Sequence, residues 1–382
     1  MTDTLEQLVV ERIHRGGPMR YDDLISLALY DERFGFYTSG AGSAGRWRGD
    51  FITSPEVGPL FGAVVARALD TWWTELGEPD PFVVIEAAAG RGALAVSVLH
   101  AGPRCALALR YVLVEVSPHL REQQKEHLDL EEPLNALGPV SEGRLGDVPP
   151  PLKGRGPVVV SVPDLPGIRA VGVVVANELL DNLPFRLLEL SGGEWREVRI
   201  GVDERSRLCE VSVAAHPTLV GRAKAFAPDT PDGGRIPFQQ AAASWVRDAV
   251  GLLDRGRVVA FDYGATTPEM ATRDWREWLR TYRDHDRGRH PLELVGFQDV
   301  TCDVAVDQLD AARRVTSDRA QSDWLRSFGL DALVADGTVA WDAGAAAPDL
   351  AAVEGRSRLS EAAALTAVPG LGAHRVLEWL VR

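Results

Sequence analysis

The sequence has 382 residues, 45% of them hydrophobic, which suffices for one large domain with an appendage or for two domains. Its formal net charge of −14 argues against broad binding to nucleic-acid phosphates, because such binding needs clustered lysines and arginines. No apolar run approaches membrane-spanning length, and the 3 cysteines are too scattered for a disulfide framework or a zinc site. We therefore expect a cytoplasmic protein without membrane insertion and without a nucleic-acid partner.

The chain begins with two helical patterns of apolar residues within positions 2–30, separated by Gly16-Gly17-Pro18. Because these helices precede the first sheet strand, we expect residues 1–48 to form a helical cover followed by a loop. Ser54 then has the residue type of an N-cap, and the apolar pattern predicts one helix from there to about Leu76.

Residues 82–99 are the most informative stretch of the chain. Phe82 to Ile85 is a continuous apolar run typical of a buried strand, and the acid Glu86 follows it. Gly90 and Gly92 come next, before apolar residues at helical spacing. The glycines allow a tight turn and a close approach by a ligand, and the helix start offers free N–H groups. This order of elements predicts a nucleotide-binding corner.

A second apolar strand, Tyr111 to Val114, ends at the acid Glu115. Glu115 lies roughly 20 residues beyond the glycines, the usual distance for a carboxylate that binds both hydroxyls of a ribose.

Polar residues also follow the apolar strand Val171 to Ala176. Asn177 and Glu178 come directly after it, and Asp181 lies one turn further on. Ligands of open parallel sheets bind beyond the carboxyl ends of the strands, so these side chains are candidates for work on a substrate.

The pattern becomes alternating from Leu187 to Val213, which predicts an antiparallel meander. Later strands are predicted at 256–264 and 304–307, and the tail from 318 to 382 is predicted to be a helical cap with an Ala-rich loop at 343–352. His285 and His290 lack a third ligand of suitable spacing, so no metal site is expected. The predicted segments after residue 48 are a cofactor-binding core at 49–186, an inserted β/α region at 187–255, and remaining core strands with a cap at 256–382.

Two cofactors fit the pattern of an apolar strand followed by Glu86, the glycines at 90 and 92, and the second acid Glu115. Residues 90–95 match the G-x-G-x-x-A dinucleotide fingerprint, so NAD is an alternative. In that fingerprint the first glycine closes the strand, whereas here Glu86 and three alanines intervene. S-adenosylmethionine carries an ammonium and a sulfonium and no pyrophosphate. An acid at Glu86 for the ammonium and Glu115 for the ribose favours that cofactor.

At this point the chain resembles the MidA family of S-adenosylmethionine-dependent methyltransferases, whose mitochondrial members assist assembly of respiratory complex I. The family motifs occur in order across nearly the whole chain: Gly-Asp-Phe-x-Thr-Ser-Pro-Glu at 49–56, acid-x-x-x-Gly-Arg-Gly at 86–92, Val-Glu-Val-Ser-Pro at 114–118, Ala-Asn-Glu-Leu-Leu-Asp-Asn-Leu-Pro at 176–184, Asp-Tyr-Gly at 262–264 and, after an Arg/His-rich stretch, Asp-Val-Thr-Cys-Asp-Val at 299–304.

The resemblance implies an α/β fold, a Rossmann-like seven-stranded class I methyltransferase sheet with an inserted substrate-facing region. It implies methylation of an exposed arginine on a protein partner, with a respiratory complex subunit as one candidate. Together with the residue patterns it gives these candidate cofactor-binding residues: Asp50, Thr53, Ser54, Glu86, Ala88, Gly90, Gly92, Glu115 and Asn177.

The chain departs from the family at Ala88, where the family has glycine. If the turn needs a positive φ there, alanine costs about 1 kcal/mol or more, and cofactor binding is weakened.

Glu178 and Asp181 are the candidate catalytic residues, one orienting the acceptor guanidinium and the other receiving its proton. Two alternatives to an active methyltransferase stay open: an NAD-dependent oxidoreductase and a non-catalytic assembly or scaffold protein that retains the cofactor pocket.

Overall fold

A computed structural model of the protein describes residues 4–39, 53–137, 153–283, 286–345 and 349–382. Its strands are β1 Met19–Arg20, β2 Phe82–Ala87, β3 Leu109–Val114, β4 Val158–Val162, β5 Ala170–Asn177, β6 Arg186–Ser191, β7 Glu194–Val202, β8 Leu208–Ala214, β9 Arg235–Phe238, β10 Leu253–Asp262, β11 Gly264–Ala265, β12 Leu279–Arg283, β13 Asp286–Arg287, β14 Asp299–Cys302, β15 Val304–Ala305, β16 Ser317–Ala320 and β17 Arg375–Val381. Its α-helices are α1 Leu5–Gly16, α2 Tyr21–Tyr30, α3 Ser54–Val57, α4 Pro59–Glu75, α5 Ala93–His100, α6 Pro118–Gln124, α7 Pro133–Leu137, α8 Pro217–Phe226, α9 Gln240–Gly251, α10 Thr267–Thr272, α11 Trp275–Trp278, α12 Val306–Ala312, α13 Gln321–Ser327, α14 Leu330–Gly344 and α15 Leu350–Thr366.

The chain divides into two units, each built from three segments. The seven-stranded unit comprises Ile52–Glu178, Asp248–Phe261 and Val315–Arg382. The five-stranded unit comprises Met1–Phe51, Leu179–Arg247 and Asp262–Arg314. Within the described ranges, no helix combines the length and apolar character needed to cross a membrane.

The sheet of the seven-stranded unit has the order β16-β17-β10-β5-β2-β3-β4. The neighbours from β10 to β4 run parallel, and β16 pairs antiparallel with β17, so the sheet is mixed. Every residue of β2 and β3 is buried, as expected for parallel strands covered on both faces. The predicted seven-stranded α/β sheet is confirmed.

Helices α4 and α5 approach each other closely beside this sheet. A Cβ at Gly62 of α4 would lie 2.3 Å from the Ser97 Cβ of α5, so only glycine fits that position. Trp72 of α4, Phe261 of β10 and Trp324 of α13 are fully buried in the same apolar core.

The five-stranded unit is built on the antiparallel sheet β1-β7-β6-β9, with β8 also paired to β7. The meander predicted from Leu187 onward is therefore confirmed. The first strand, β1, pairs with β7 through Met19 opposite Ile200, which brings α1 and α2 onto this sheet, where they share its apolar core. A separate three-stranded sheet has the order β13-β12-β14.

The helix predicted from Ser54 to about Leu76 is broken in two at Gly58. The carboxylate of Glu361 occupies the space where a Gly58 side chain would lie, and its Oε2 accepts the Leu60 N–H at 2.8 Å. The N-cap is also wrong by one residue, because Thr53 caps α3 and Ser54 is its first residue. The break depends on a contact from α15, which local sequence does not reveal.

The predicted all-helical tail is wrong in part, because β16 and β17 lie within it and form one edge of the seven-stranded sheet. The strand predicted at 304–307 is only the two residues of β15, after which α12 begins at Val306.

The unit boundaries also differ from the predicted segments. The prediction placed core segments at 49–186 and 256–382 around one insertion at 187–255, whereas the chain leaves the seven-stranded unit twice, after β5 and at the end of β10. Residues 262–314 consequently belong with the meander rather than with the sheet core.

Candidate functional site

The turn between β2 and α5 lies at the carboxyl edge of the seven-stranded sheet. Gly90 and Gly92 have φ angles of 54° and 83°, which glycine adopts without steric penalty. The Gly92 N–H donates to the Ala89 carbonyl at 2.8 Å and closes the turn. Among the described residues, no heavy atom lies within 4 Å of the position of a Gly90 side chain. The backbone at Gly90 is therefore open to a ligand.

Ala88 adopts a φ of 54° in the same turn, although it has a Cβ. The left-handed region costs an alanine roughly 1–2 kcal/mol. The condition under which alanine carries a cost at this position, a positive φ at residue 88, is therefore met. Its methyl group is exposed, so the penalty lies in the backbone and not in the packing.

Glu115 connects the two loops that follow β2 and β3. Its Oε2 accepts the Gly90 N–H at 2.9 Å and its Oε1 accepts the Ser117 N–H at 2.8 Å. Burial raises the pKa of Glu115, while these two N–H donors and the positive charge of Arg121 oppose that rise. Each carboxylate oxygen can accept a second hydrogen bond, so the side chain still has acceptor capacity for a diol.

Gln124 and Ser161 hold the opposite side of the glycine turn. The Gln124 Nε2 donates to the Gly90 carbonyl at 2.7 Å, and the Ser161 hydroxyl donates to Gln124 Oε1 at 2.6 Å. Gln124 is fully buried. Sequence analysis missed both residues, because Gln124 lies in a run of charged residues that reads as a solvated helix.

Glu86 is buried beneath the turn with 4% of its surface exposed. Burial raises its pKa to about 8, although hydrogen bonds from the Tyr111 hydroxyl, at 2.7 Å, and the Ala95 backbone oppose the rise. These hydrogen bonds link the end of β2 to β3 and to α5. The contact of Glu86 with the cofactor stays a prediction.

Asn177 and Glu178 end β5, the strand beside β2. Because Ala87 pairs with Ala176, Asn177 lies next to the start of the glycine turn. Its Nδ2 donates to Glu178 Oε1 at 3.3 Å, and its buried Oδ1 has no hydrogen-bond partner among the described residues. Glu178 has a φ of 50°, and its N–H donates to the Phe261 carbonyl at 2.9 Å. A strained, non-glycine backbone at a ligand-facing edge is typical of a functional position.

The remaining candidates precede α4. Asp50 lies outside the described residues. The Thr53 N–H donates to Glu56 Oε2 at 3.2 Å in a capping box, and the buried Ser54 hydroxyl donates to Gln321 Oε1 at 3.0 Å. The short helix α3 packs against α5, the helix that follows the glycine turn.

Asp181 lies in the five-stranded unit, in a 3-10 helix formed by Leu180–Asn182. Asp262 holds the start of this helix, because its Oδ2 accepts the N–H groups of Leu180 at 2.8 Å and Asp181 at 3.3 Å. The Asp181 side chain is 3% exposed, and its Oδ1 accepts no hydrogen bond from a described residue. Burial and the negative charges of neighbouring carboxylates raise the pKa of Asp181 well above its usual value.

Asp299 lies beside Asp181 and is held by three donors. Its Oδ1 accepts from the Tyr37 hydroxyl at 2.9 Å, from Asn182 Nδ2 at 3.1 Å and from the Val300 N–H at 2.8 Å. Burial raises the pKa of Asp299 to about 6, although these donors oppose the rise.

Arg280 supplies positive charge to this acidic group. Its Nη2 lies 2.7 Å from Asp303 Oδ1, and its guanidinium stacks 5.0 Å from the centre of the Tyr263 ring. Arg273 approaches the other oxygen of Asp303 at 3.5 Å. Across the part of the chain that the structure describes, no group of three or more His, Cys, Asp or Glu residues is arranged to hold a metal ion.

The strand order of the seven-stranded sheet reverses between β2 and β5. Ligands of open α/β sheets bind in the crevice beyond the carboxyl ends of strands at such a reversal. The chain places the open backbone of Gly90, the acceptor-rich Glu115 and the unpartnered Asn177 oxygen at that edge. These groups fit an adenosyl cofactor with ribose hydroxyls and no pyrophosphate.

The family follows from comparison with known sequences. Residues 64–324, more than half of the chain, match the model of a family of S-adenosyl-L-methionine-dependent methyltransferases. The chain belongs to this family, the MidA family. The expected cofactor, S-adenosylmethionine, and the class I methyltransferase fold are thereby confirmed.

Two of the relatives of this chain are mitochondrial proteins that are distant from it in sequence. The protein arginine methyltransferase NDUFAF7 homolog, mitochondrial, of Drosophila melanogaster is 30% identical over 75% of this chain, which spans 65% of that protein. The corresponding protein of Danio rerio is 26% identical over 85% of this chain, which spans 76% of it.

A crystal structure of a Burkholderia thailandensis protein bound to S-adenosyl-homocysteine is also similar. It has a TM-score of 0.78 and 25% identity, covering 98% of this chain and 90% of that one. The fold of this chain is therefore similar to that of the Burkholderia thailandensis protein over nearly the whole length of both chains.

Proposed function

We propose that this protein transfers the methyl group of S-adenosylmethionine to an arginine side chain of a protein. The observation that carries the acceptor side of this proposal is the buried Asp181 carboxylate, whose Oδ1 has no partner among the described residues. A buried carboxylate without a donor is expensive unless a ligand supplies one.

On the cofactor side, the glycine turn offers its backbone and Glu115 accepts from the ribose hydroxyls. Glu115 and Gln124 hold the N–H and the carbonyl of Gly90, so the turn needs little reorganisation when the cofactor binds. When bound, S-adenosylmethionine supplies an electrophilic methyl group and leaves as S-adenosylhomocysteine.

On the acceptor side, a guanidinium is charged at neutral pH and must lose a proton as its nitrogen forms the bond to carbon. Glu178 and Asp181 are our candidates for orienting the guanidinium and accepting that proton. The raised pKa of Asp181 suits a group that must hold a proton once the transfer is complete.

The choice of arginine rests on chemistry and on relatives. Carboxylates bind the planar guanidinium through paired N–H groups, a geometry that an ammonium does not offer. The names of the Drosophila and zebrafish relatives give protein arginine methylation as their activity. A respiratory complex subunit is the acceptor that the family resemblance suggests, and the identity of the partner is part of the proposal.

The experiment has two steps. Thermal unfolding is measured with S-adenosylmethionine, S-adenosylhomocysteine or NAD, and we expect only the two sulfur compounds to raise the midpoint. Labelled S-adenosylmethionine is then incubated with a library of peptides that each contain one arginine, beside the same library with lysine in its place. Methylarginine in the acid hydrolysate supports the proposal. Label in the lysine library alone contradicts the choice of acceptor, and cofactor binding without any transfer supports the scaffold alternative.

A further inference from the structure

Four carboxylates lie close together in the five-stranded unit: those of Asp181, Asp262, Asp299 and Asp303. Against them the described residues provide one largely buried guanidinium, that of Arg280, and the half-exposed Arg273. If all four carboxylates were ionised, these four acids and two arginines would together carry a net charge of −2. A buried excess of negative charge is stable only if protons or a bound cation compensate it.

Two of the four carboxylates have N–H donors or arginine nitrogens beside both oxygens. Both oxygens of Asp262 accept backbone N–H groups, Oδ2 from Leu180 and Asp181 and Oδ1 from Tyr263 at 2.9 Å. Asp303 is paired with cations, because Oδ1 lies 2.7 Å from Arg280 Nη2 and Oδ2 lies 3.5 Å from Arg273 Nη1, although its Oδ1 accepts no hydrogen bond of regular geometry from a described residue.

The other two carboxylates have unused acceptors. Asp181 is more than nine-tenths buried, and its Oδ1 has no donor among the described residues. The three donors to Asp299 all reach Oδ1, and none of the described residues donates to Oδ2. The unused acceptors therefore belong to neighbouring acids whose charges interact.

We propose that Asp299 is a second acceptor-binding residue, which together with Asp181 binds one guanidinium. The inference rests on the proposed function and deepens it, because it assigns the arginine site to a pair of carboxylates within one unit. A guanidinium presents N–H groups along several edges, so two carboxylates can bind it at the same time and fix the orientation of its plane.

Tyr37 positions Asp299 for this role. Its hydroxyl lies 2.9 Å from Asp299 Oδ1 and 3.1 Å from Asn182 Oδ1, so its single proton is shared between them. Donors on Oδ1 restrict the rotation of the carboxylate, leave Oδ2 as its unused acceptor and favour the ionised form. Tyr30, which stacks on Tyr37 at 6.0 Å, donates instead to the Asn182 carbonyl at 3.2 Å.

The test measures equilibrium binding of N-acetyl-arginine methylamide to the full chain saturated with S-adenosylhomocysteine, with N-acetyl-lysine methylamide as the comparison. Asp299→Asn keeps an acceptor for Tyr37 and removes the charge. We expect it to weaken binding of the arginine probe by roughly tenfold or more, the effect of neutralising one side of a charge-assisted hydrogen bond. Asp203→Asn, in the turn between β7 and β8, is the matched control and leaves the affinity unchanged.

A second variant keeps the inference testable if Asp299→Asn fails to fold. Tyr37→Phe removes a donor that stabilises the ionised Asp299, so the pKa of Asp299 rises and the pH midpoint of probe binding moves upward. Tyr30→Phe leaves that midpoint in place. The charged and titratable groups that face the pair in both variants are unchanged: Asp262, Asp303, Arg280 and Cys302.

Wild-type affinity in Asp299→Asn, or an unmoved midpoint in Tyr37→Phe, overturns the inference. The binding assay contains no methyl donor, so it measures the affinity of the site for arginine even if the chain transfers no methyl group. Conversely, methylarginine formation at the wild-type rate by Asp299→Asn overturns the inference and leaves the proposed function intact.

Discussion

Two residues at the cofactor edge hold backbone conformations that their side chains disfavour. Ala88 and Glu178 have φ angles of 54° and 50°, and they follow the paired strands β2 and β5. Such conformations cost of order 1–3 kcal/mol each, and they persist where the surrounding structure or a function requires them. At Ala88 the turn requires the conformation whichever residue is present. At Glu178 the side chain itself is a candidate for catalysis, so the strain and the chemistry coincide.

Replacing Ala88 by glycine separates backbone strain from cofactor contact. We expect Ala88→Gly to raise the free energy of unfolding by about 1 kcal/mol in denaturant titration, because the left-handed penalty disappears. The matched variant Ala89→Gly should lower it, because Ala89 is buried and its φ is not positive. Equal destabilisation by both substitutions would show that the turn does not hold the conformation seen at residue 88.

Glu178→Gln tests the catalytic assignment. The variant keeps the size of the side chain and an oxygen that can accept from Asn177 Nδ2, but it cannot take up a proton. We expect S-adenosylhomocysteine affinity, measured by calorimetry, to stay unchanged and methyl transfer to be abolished. Glu126→Gln, at an exposed position, should behave as wild type in both assays. Loss of cofactor binding together with activity would mean that Glu178 belongs to the cofactor site.

At the scale of elements, the glycine turn is shaped by its neighbours as much as by its own glycines. Glu115, after β3, accepts the Gly90 N–H, and Gln124, at the end of α6, donates to the Gly90 carbonyl. The backbone N–H and the backbone carbonyl of Gly90 are thus both hydrogen-bonded to side chains from outside the turn. This arrangement pre-forms the turn before any ligand binds.

Gln124→Leu removes the hydrogen bond to the Gly90 carbonyl while preserving the approximate size of the side chain. The Gly90 carbonyl and the Ser161 hydroxyl then lose a hydrogen-bond partner in a largely buried place. We expect the dissociation constant of S-adenosylhomocysteine to rise by roughly tenfold, as for the loss of one buried hydrogen bond. Gln123→Leu, on the same helix, is the control, and an unchanged dissociation constant in Gln124→Leu would contradict a preformed turn.

At the scale of the whole molecule, acidic groups with raised pKa values occur in both units. Glu86 and Glu115 lie in the seven-stranded unit, and Asp181, Asp299 and Asp303 lie in the five-stranded unit. Burial is the largest cause of the raised pKa of each of these five acids. In each group the folded chain keeps a proton at a pH at which the unfolded chain has lost it.

The pH dependence of stability follows from this excess of bound protons. The pH range over which the folded chain holds an extra proton lies between the ordinary pKa of each group and its raised pKa in the fold. For Glu86 this range is from 4.5 to about 8, and for Asp299 it is from 3.8 to about 6. Within these ranges the folded state binds more protons, so the free energy of unfolding falls as the pH rises. We expect thermal unfolding midpoints to decrease from about pH 5 to about pH 8. Glu86→Gln should make the midpoint depend less on pH, whereas the control Glu122→Gln should leave the dependence unchanged. An unfolding midpoint that rises with pH would contradict the raised pKa values of these acids.

The sequence by itself determined the sheet and its cofactor. Continuous apolar strands, each followed by an acid, predicted buried parallel strands and the edge at which Glu115 and Asn177 lie, and the ordered motifs predicted the family. The cytoplasmic location expected from the cysteines, and the roles assigned to the site residues, stay predictions. These results depend on local patterns, because burial on both faces and tight turns leave their mark on consecutive residues.

Only the tertiary structure decided the rest. The break at Gly58 depends on Glu361, the support of Gly90 on Gln124, and the place of Asp299 beside Asp181 on residues more than a hundred positions apart. A side chain's partners across such separations are set by how the units fold, and no local pattern records them. The tail that forms β16 and β17 shows the same limit, since an edge strand pairs with a partner far away in the chain. The motifs therefore revealed which cofactor binds, whereas the fold revealed which buried carboxylates lie close to one another.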